Sequence, residues 1–206
     1  MIATFSLSPA DSSPVRANCG EPKGSRFLTR QRLLEILRYD PDTGHFTWLP
    51  RPLERFAVGH RQEAAHAIFH KRYSGRIAGR INDRGYVCIN IGGSPFQAHR
   101  LAWLYQTGSW PEDQIDHANG DPADNRWSNL RQATPSQNTA NCGIRSDNST
   151  GVKGVSFDRR TRRPWIARIK VHGRDLYLGS YTSLDEAREV YRAAALFHFG
   201  EFARVA

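Results

Sequence analysis

A turn-rich segment near the middle of the chain constrains the fold more than any other stretch. It contains the pair Asp116-His117, the turn-forming run Asn119-Gly120-Asp121-Pro122, and then Thr134-Pro135-Ser136-Gln137. The last run fits a helix start, with a hydroxyl N-cap, a proline at the first helical position and a glutamine three residues after the cap. The segment therefore predicts a turn-rich loop that leads into a helix.

The side chains of this segment are those that phosphodiester hydrolysis requires. The reaction needs a base to activate water, and a hard cation held by oxygen ligands. His117 has a suitable pKa for a base near neutral pH, and Asp116 offers an oxygen ligand. Asn138 falls in the first helical turn, with Asn141 on the same helical side, and the Asn138 amide oxygen could face Asp116. Asn129 is suited to tying the loop together by amide hydrogen bonds.

Strand geometry sets a condition on such a site. Neighbouring residues in a strand point to opposite faces. Asp116 and His117 can therefore serve one site only if the chain turns there, or if the scissile phosphate lies between them. The alternative interpretation is that an Asx-rich loop simply makes turns and caps a helix.

In order and spacing, His117, Asn129 and Asn138 resemble the base, loop asparagine and metal ligand of HNH endonucleases, which are built on a beta-beta-alpha-metal (His-Me) finger. The asparagine at 138, where many members have histidine, resembles the phage and intron-encoded branch. The resemblance implies an α+β fold with His117 as base and Asn129 as the structural member of the catalytic set. It also implies one divalent cation, Mg²⁺ or Mn²⁺, held by Asp116 and Asn138, and no small-molecule cofactor is expected.

From Gly151 onward the pattern changes to three short strands followed by a helix. The strands are predicted at 151–157, 165–171 and 176–181, and the helix opens with Ser183 and Glu186 as a capping box. Residues 151 to 174 contain eight Lys or Arg and one acidic residue, which favours a polyanionic partner. Alternation along the second strand places Arg168 and Lys170 on the face away from the helix.

This module resembles the plant ethylene-response-factor (apetala-two) DNA-binding domain, a three-stranded antiparallel sheet packed on one helix. The matching stretches are Lys-Gly-Val at 153–155, Trp-Ile-Ala-Arg-Ile at 165–169, Tyr-Leu-Gly-Ser-Tyr at 177–181 and Phe-Gly-Glu-Phe-Ala at 199–203. The resemblance implies DNA-facing positions at Lys153, Arg168, Lys170 and Tyr177. Ser156 and Asp175 stand where the plant pattern has arginine, so a different base preference is expected. A basic face that is merely solvated is the alternative.

Composition agrees with a nucleic-acid partner. The 206 residues carry a net charge of +9, with a pI near 9.9, and leave room for two small domains. The predicted organisation is a disordered tail at 1–26, a nuclease domain at 27–141, a linker at 142–150 and a DNA-binding domain at 151–206. No long apolar run or signal-peptide pattern indicates a membrane, and three cysteines without Cys-x-x-Cys spacing fit a reducing cytoplasm.

The remaining segments leave some alternatives open. A helix is predicted from Leu28 to Tyr39 and a hairpin between Gly79 and Gly93. His99 is either a phosphate contact together with Arg100 or a packed histidine bonded to the central loop. The segment with His60, His66 and His70 is interpreted as a basic surface or helix face rather than as a metal site.

The sequence therefore predicts a metal-dependent HNH endonuclease of phage or mobile-element type that acts on double-stranded DNA. A monomer that nicks one strand is expected, and a dimer would cut both. The alternative is a non-catalytic, sequence-specific DNA-binding or regulatory protein that retains the finger only as a fold. A weaker alternative is an RNA-binding protein, which should carry exposed stacking aromatics such as Tyr177.

Overall fold

The N-terminal part of the protein is a helix followed by a small hairpin. The computed structural model describes residues 28–205, so the predicted tail lies outside the described residues. Helix α1 (Arg30–Ile36) begins at Thr29, whose hydroxyl accepts a hydrogen bond from Arg32 N at 3.2 Å. Strands β1 (Leu37–Tyr39) and β2 (Phe46–Trp48) then pair antiparallel. The helix predicted to reach Tyr39 ends earlier because its last three residues join this hairpin.

A peripheral helix and a second small sheet follow. Helix α2 (Gln62–Arg72) precedes β3 (Arg80–Ile81), β4 (Val87–Ile91) and β5 (Ser94–Gln97), which form an antiparallel sheet in that order. The predicted hairpin between Gly79 and Gly93 is confirmed as β3 and β4. Helix α3 (Ala98–Thr107) ends at Gly108, which adopts the left-handed conformation.

The central segment forms two strands and a helix. Strand β6 (Gln114–His117) pairs antiparallel with β7 (Leu130–Ala133), and α4 (Pro135–Asn141) follows directly. The predicted helix start is confirmed, because the Thr134 hydroxyl accepts from Gln137 N and the Gln137 side chain accepts from Thr134 N. We call residues 114–141 the finger.

The C-terminal module, residues 151–205, is a three-stranded sheet with one helix. Strands β8 (Val155–Phe157), β9 (Trp165–Val171) and β10 (Arg174–Tyr181) pair antiparallel in the order β10-β9-β8, and α5 (Leu184–Phe199) packs on them. The predicted alternation along β9 is confirmed, since Ala167 and Ile169 are buried whereas Arg168 and Lys170 are exposed.

One detail of the α5 start differs from the prediction. The Ser183 hydroxyl caps the helix by accepting from Asp185 N at 3.1 Å. The Glu186 carboxylate instead accepts from the Thr182 hydroxyl at 3.3 Å. The predicted capping box at Ser183 and Glu186 is therefore wrong, because Glu186 turns to a neighbouring hydroxyl.

Two hydrophobic cores hold these elements, and the finger contributes to both. Ile115 and Leu130 lie in the first core with α1, β4 and α3, whereas Ala133 and Ala140 lie in the second with β9 and α5. The finger is thus packed between the N-terminal elements and the C-terminal module. No helix within the described part of the chain is long and apolar enough to cross a lipid bilayer.

Lys153 joins the C-terminal module to the finger. Its ammonium donates hydrogen bonds to the carbonyl oxygens of Thr139 at 3.2 Å, Ala140 at 2.6 Å and Cys142 at 2.6 Å. The last carbonyls of a helix lack intrahelical partners and favour a positive charge. Lys153 therefore faces the end of α4, whereas the resemblance implied a DNA-facing position for it.

Gly154, beside Lys153, has no room for a side chain. Its φ is +70°, and an added Cβ would lie 2.0 Å from the Tyr191 ring and 2.6 Å from the carbonyl oxygen of Arg168. We expect Gly154→Ala to lower the free energy of unfolding of the full chain by about 3 kcal/mol, from left-handed strain plus overpacking. Urea denaturation followed by circular dichroism measures the change.

Gly173→Ala is the matched control for this substitution. Gly173 has a similar φ of +79°, but an added Cβ would meet no atom within 4 Å. Strain alone should cost about 1 kcal/mol there. Equal losses for the two variants would contradict the packing role of Gly154.

Candidate functional site

The Asp116 carboxylate is buried at the centre of the finger. Only 5 % of its side chain is exposed, and Arg131 lies directly across the β6–β7 pair. Both Nε and Nη2 of Arg131 lie 2.9 Å from Asp116 Oδ2. Asn141 Nδ2 lies 2.9 Å from Oδ1 and 3.0 Å from Oδ2, and it also donates to the His117 carbonyl oxygen at 2.8 Å. The carboxylate is thus held by one cation and one amide.

The helix residue that reaches Asp116 is Asn141, and Asn138 lies one turn earlier. The Asn138 amide nitrogen donates to the side-chain oxygen of Gln114, two residues before Asp116 on β6. One helical turn rises about 5.4 Å and two strand residues span about 6.6 Å. Successive turns of α4 therefore lie beside alternate residues of β6. The Asn138 amide nitrogen therefore contacts Gln114, and the expectation that the Asn138 oxygen faces Asp116 stays a prediction.

His117 lies on the other side of β6 from Asp116. Its side chain is buried, and Nε2 lies 3.4 Å from Asn125 Oδ1. The ring packs edge-on against His99, with centroids 5.0 Å apart, and against Tyr86 at 6.0 Å. Burial lowers the pKa of His117 below its usual 6.5, while the hydrogen bond that His117 Nε2 donates to Asn125 Oδ1 and the nearby carboxylates oppose that shift. Burial therefore favours the neutral form of the imidazole.

His99 is a packed histidine. Its side chain is buried at the start of α3 between Tyr86 and His117, with ring centroids 5.4 and 5.0 Å away. Burial, with smaller contributions from the neighbouring His117 and Arg100 charges, lowers the pKa of His99 to about 3. Of the two alternatives for His99, burial supports a packed histidine, although its Nδ1 has no hydrogen-bond partner in the described part of the chain.

Asn129 fastens the loop between β6 and β7. Its side-chain oxygen accepts from Asn119 N at 3.0 Å, and its amide nitrogen donates to the Asp124 carbonyl oxygen at 2.7 Å. The Asn129 backbone carbonyl accepts from Ala118 N at 2.9 Å. These are the loop-tying hydrogen bonds that the sequence led us to expect of Asn129.

Sequence reasoning missed Asn125. Asn125 is 2 % exposed, contacts His117 Nε2, and accepts a hydrogen bond through its backbone carbonyl from the Tyr39 hydroxyl at 2.7 Å. Neutral histidine has one donor nitrogen and one acceptor nitrogen. A hydrogen bond from Nε2–H to the Asn125 oxygen would leave Nδ1 as the nitrogen that can accept a proton. The available signal was an asparagine eight residues after a candidate base, which is weak.

The C-terminal module also reaches the site, through Arg131. Arg131 Nη1 donates to the Glu201 carbonyl oxygen at 3.1 Å, and the guanidinium lies 3.9 Å from the centroid of the Phe202 ring. Such cation–π contacts hold a guanidinium in place. Residues 70 positions apart in the chain therefore fix the cation that pairs with Asp116.

The oxygen donors of this site fit a hard divalent cation. Asp116 Oδ1 accepts one hydrogen bond, from Asn141, and a carboxylate oxygen has two lone pairs. The Asn138 amide nitrogen is taken by Gln114, which leaves the Asn138 oxygen as a possible ligand. Within residues 28–205, no group of three or more His, Cys, Asp or Glu side chains is placed to hold a metal ion. A cation here would rely on one carboxylate, amide oxygen and water, which implies modest affinity.

Three of the four candidate DNA-facing residues lie on the outer face of the C-terminal sheet. Arg168 and Tyr177 are direct partners across β9 and β10, and Tyr177 is 63 % exposed. Lys170 is also exposed and lies 3.8 Å from Asp175, its partner on β10. The face therefore presents two cations and an aromatic ring to solvent.

Comparison with known proteins identifies the family. The sequence model of the HNH endonuclease family matches residues 96–140, which span α3 and most of the finger. Protein 3.8 of Escherichia phage T7 is 31 % identical over 107 residues, which cover 52 % of this chain and 87 % of that protein. An uncharacterised HNH endonuclease of Acanthamoeba polyphaga mimivirus is 32 % identical over 109 residues, covering 52 % of this chain and 55 % of its own length. No solved structure matches. The chain belongs to the HNH endonuclease family.

The ionisation of His117 can be tested by NMR. We expect its imidazole to titrate below pH 6.5 in the folded protein, because burial disfavours the charged form. Asn125→Leu should lower the midpoint further, since it removes a hydrogen bond that raises this pKa. His117→Gln identifies the resonance, and a midpoint at or above pH 6.5 in the unsubstituted protein would contradict the assignment.

The position of Asn141 predicts a stability difference between two asparagines of one helix. Asn141→Leu removes hydrogen bonds to a buried carboxylate and to a backbone carbonyl, so we expect a loss of about 3 kcal/mol in unfolding free energy. Asn138→Leu removes a hydrogen bond to a neutral amide and should cost about 1 kcal/mol. Urea denaturation at pH 7 measures both losses of unfolding free energy. A larger loss for Asn138→Leu would contradict the assignment of Asn141 as the partner of the buried Asp116 carboxylate.

Proposed function

We propose that this protein is a divalent-metal-dependent endonuclease that hydrolyses phosphodiesters of double-stranded DNA. The observation that carries the proposal is the two-sided arrangement at the end of β6. Arg131 and Asn141 hold Asp116 on one side of the strand, and Asn125 and His99 surround His117 on the other. A phosphodiester at this strand end would meet a carboxylate on one side and an imidazole on the other.

His117 would act as the general base. A neutral imidazole whose Nε2 is turned to Asn125 can take a proton from water at Nδ1. The water oxygen would form a bond to phosphorus as the bond to the 3′-oxygen breaks. The leaving 3′-oxygen would take a proton from solvent, so the products would be a 5′-phosphate and a 3′-hydroxyl. Asn125 and Asn129 would orient the base and its loop.

Asp116 and Asn138 would hold the metal ion. A bound Mg²⁺ or Mn²⁺ would neutralise the charge that develops on the phosphate oxygens and on the leaving 3′-oxygen. Asn141 keeps the Asp116 carboxylate in one orientation, and Arg131 adds a second positive charge beside it. A carboxylate and an amide are oxygen ligands of the kind that Mg²⁺ prefers.

The outer face of the C-terminal sheet would position the enzyme on duplex DNA. Arg168 and Lys170 would contact phosphates or base edges, with Tyr177 beside them. Support comes from their exposure and from the resemblance to the ethylene-response-factor domain. Lys153 is left out of this set because its three donors are bound to the end of α4.

The biological setting is proposed from the resemblance and from the viral sources of the relatives. We place the protein among phage or mobile-element nucleases that act in the cytoplasm of the host. One finger with one metal ion would nick one strand as a monomer, and a dimer would produce a double-strand break.

A plasmid assay tests the proposed activity. Purified full-length protein is incubated with supercoiled plasmid in Mg²⁺, in Mn²⁺ and in EDTA. We expect open-circular or linear product only with metal. His117→Ala should slow cleavage by roughly 10²- to 10⁴-fold, as loss of a general base does, while DNA binding is retained. Asp116→Ala should abolish the metal-dependent reaction.

His198→Ala is the matched control for the base, because His198 is an exposed histidine in the last turn of α5. It should cleave at the unsubstituted rate. Metal-dependent cleavage that survives His117→Ala would refute the base assignment. Plasmid retardation without any cleavage in the unsubstituted protein would favour the non-catalytic DNA-binding alternative.

A further inference from the structure

A second group of exposed cations lies outside both the finger and the C-terminal sheet. It spans α2, the turn after it and the β3–β4 hairpin, and we call it the N-terminal basic strip: Arg61, Lys71, Arg72, Arg76, Arg80 and Arg84. All six side chains are exposed. The same span, 61–84, contains only two acidic residues, Glu63 and Asp83. The strip therefore carries a concentrated positive charge.

The strip cations have no acidic partners among the residues that the structure describes. Several exposed arginines elsewhere in the protein do have them: Arg55 pairs with Glu35, and Arg188 pairs with Asp185. Across residues 28–205, by contrast, no ion pair joins any strip cation to a carboxylate. Unneutralised cations that repel one another are retained at a cost in folding stability, and they favour a polyanionic partner.

The strip also has no evident role in the hydrophobic cores. Helix α2 contributes no buried residue, and β3 is the edge strand of its sheet. Ile68, Ile77 and Ile81 are 53, 63 and 65 % exposed among the cations. These apolar side chains, like the cations, therefore lie at the surface.

The strip ends beside the active site. Arg84 lies in the β3–β4 turn, where an added Cβ on the next residue, Gly85, would come within 2.9 Å of the Pro122 side chain in the finger loop. The following residue, Tyr86, packs its ring against His117. The strip therefore reaches the site from the His117 side of β6, whereas Glu201 and Phe202 of the C-terminal module reach it from the Asp116 side.

We propose that the N-terminal basic strip binds the phosphate backbone of the DNA duplex on one flank of the scissile bond. The enzyme would then hold DNA from both sides of β6, with the C-terminal sheet on the other flank. This inference rests on the proposed endonuclease function, and it adds a second DNA contact surface to it.

The chemistry of the strip favours phosphates over base edges. Guanidinium groups bind phosphate oxygens through paired donors. The amide oxygen of Asn82, in the same hairpin, is taken by the backbone nitrogens of Arg84 and Tyr86 and does not accept from a base. The strip should therefore add affinity without adding sequence preference.

The test removes four strip charges together, as Arg72→Gln, Arg76→Gln, Arg80→Gln and Arg84→Gln in one full-length variant. Binding to a fluorescent 40-base-pair duplex is followed by anisotropy in EDTA, so that no cleavage occurs, from 50 to 300 mM salt. Each lost phosphate contact should make the slope of log K against log salt less negative by about 0.9. For four lost contacts we expect the slope to become less negative by about 3.6, with at least tenfold weaker binding at 100 mM salt.

The matched control removes four arginines that already have acidic partners: Arg32→Gln, Arg55→Gln, Arg188→Gln and Arg192→Gln. Net charge falls by the same amount, so the control separates local contacts from overall charge. Its slope should change by less than about 1. Equal slopes for the strip variant and the control would overturn the proposal. So would a strip variant that loses affinity for duplex RNA of the same length but keeps its affinity for duplex DNA.

Cleavage kinetics in Mg²⁺ provide a second readout. The strip variant should raise KM at least tenfold and leave kcat within about threefold, because its residues bind the substrate away from the reacting atoms. A strip variant that binds and cleaves like the unsubstituted enzyme would refute the DNA-binding role of the strip and leave the endonuclease proposal intact. If the unsubstituted protein binds duplex DNA but does not cut it, the endonuclease proposal fails, and the anisotropy series still decides whether the strip binds DNA.

Discussion

The buried ion pair between Asp116 and Arg131 is the interaction on which the rest of the structure depends. An unpaired carboxylate buried to this degree would be strongly unfavourable. Arg131 supplies the counter-charge across the strand pair, and Asn141 satisfies both carboxylate oxygens from α4. Strand β6, strand β7, helix α4 and the C-terminal turn at Phe202 are therefore all tied to one carboxylate.

The two sides of β6 belong to different parts of the molecule. Asp116 faces α4 and the C-terminal module, whereas His117 faces α3 and the β3–β4 hairpin. The finger also contributes to both hydrophobic cores. Since consecutive strand residues point to opposite faces, each side chain is positioned by its own set of neighbours. In the proposed function, this division would let a carboxylate and an imidazole flank one substrate group.

Positive charge in this protein has two physical roles. Lys153 and Arg131 are held by carbonyls, a carboxylate and an aromatic ring, so they stabilise the contact between the finger and the C-terminal module. Arg168 and the cations of the N-terminal basic strip are exposed to solvent. A count of Lys and Arg in the sequence does not separate these roles, because burial and carbonyl partners decide them.

The sequence by itself determined the local features: the helix start at Thr134, the alternation along β9, and the loop that Asn129 ties together. Each depends on residues near one another in the chain, and their capping and periodicity can be recognised from the sequence alone. The tertiary structure alone decided that Asn141 contacts Asp116, that Asn125 contacts His117, and that Lys153 binds the end of α4. Those contacts depend on how strand, loop and helix are packed together, and residue type does not specify that packing.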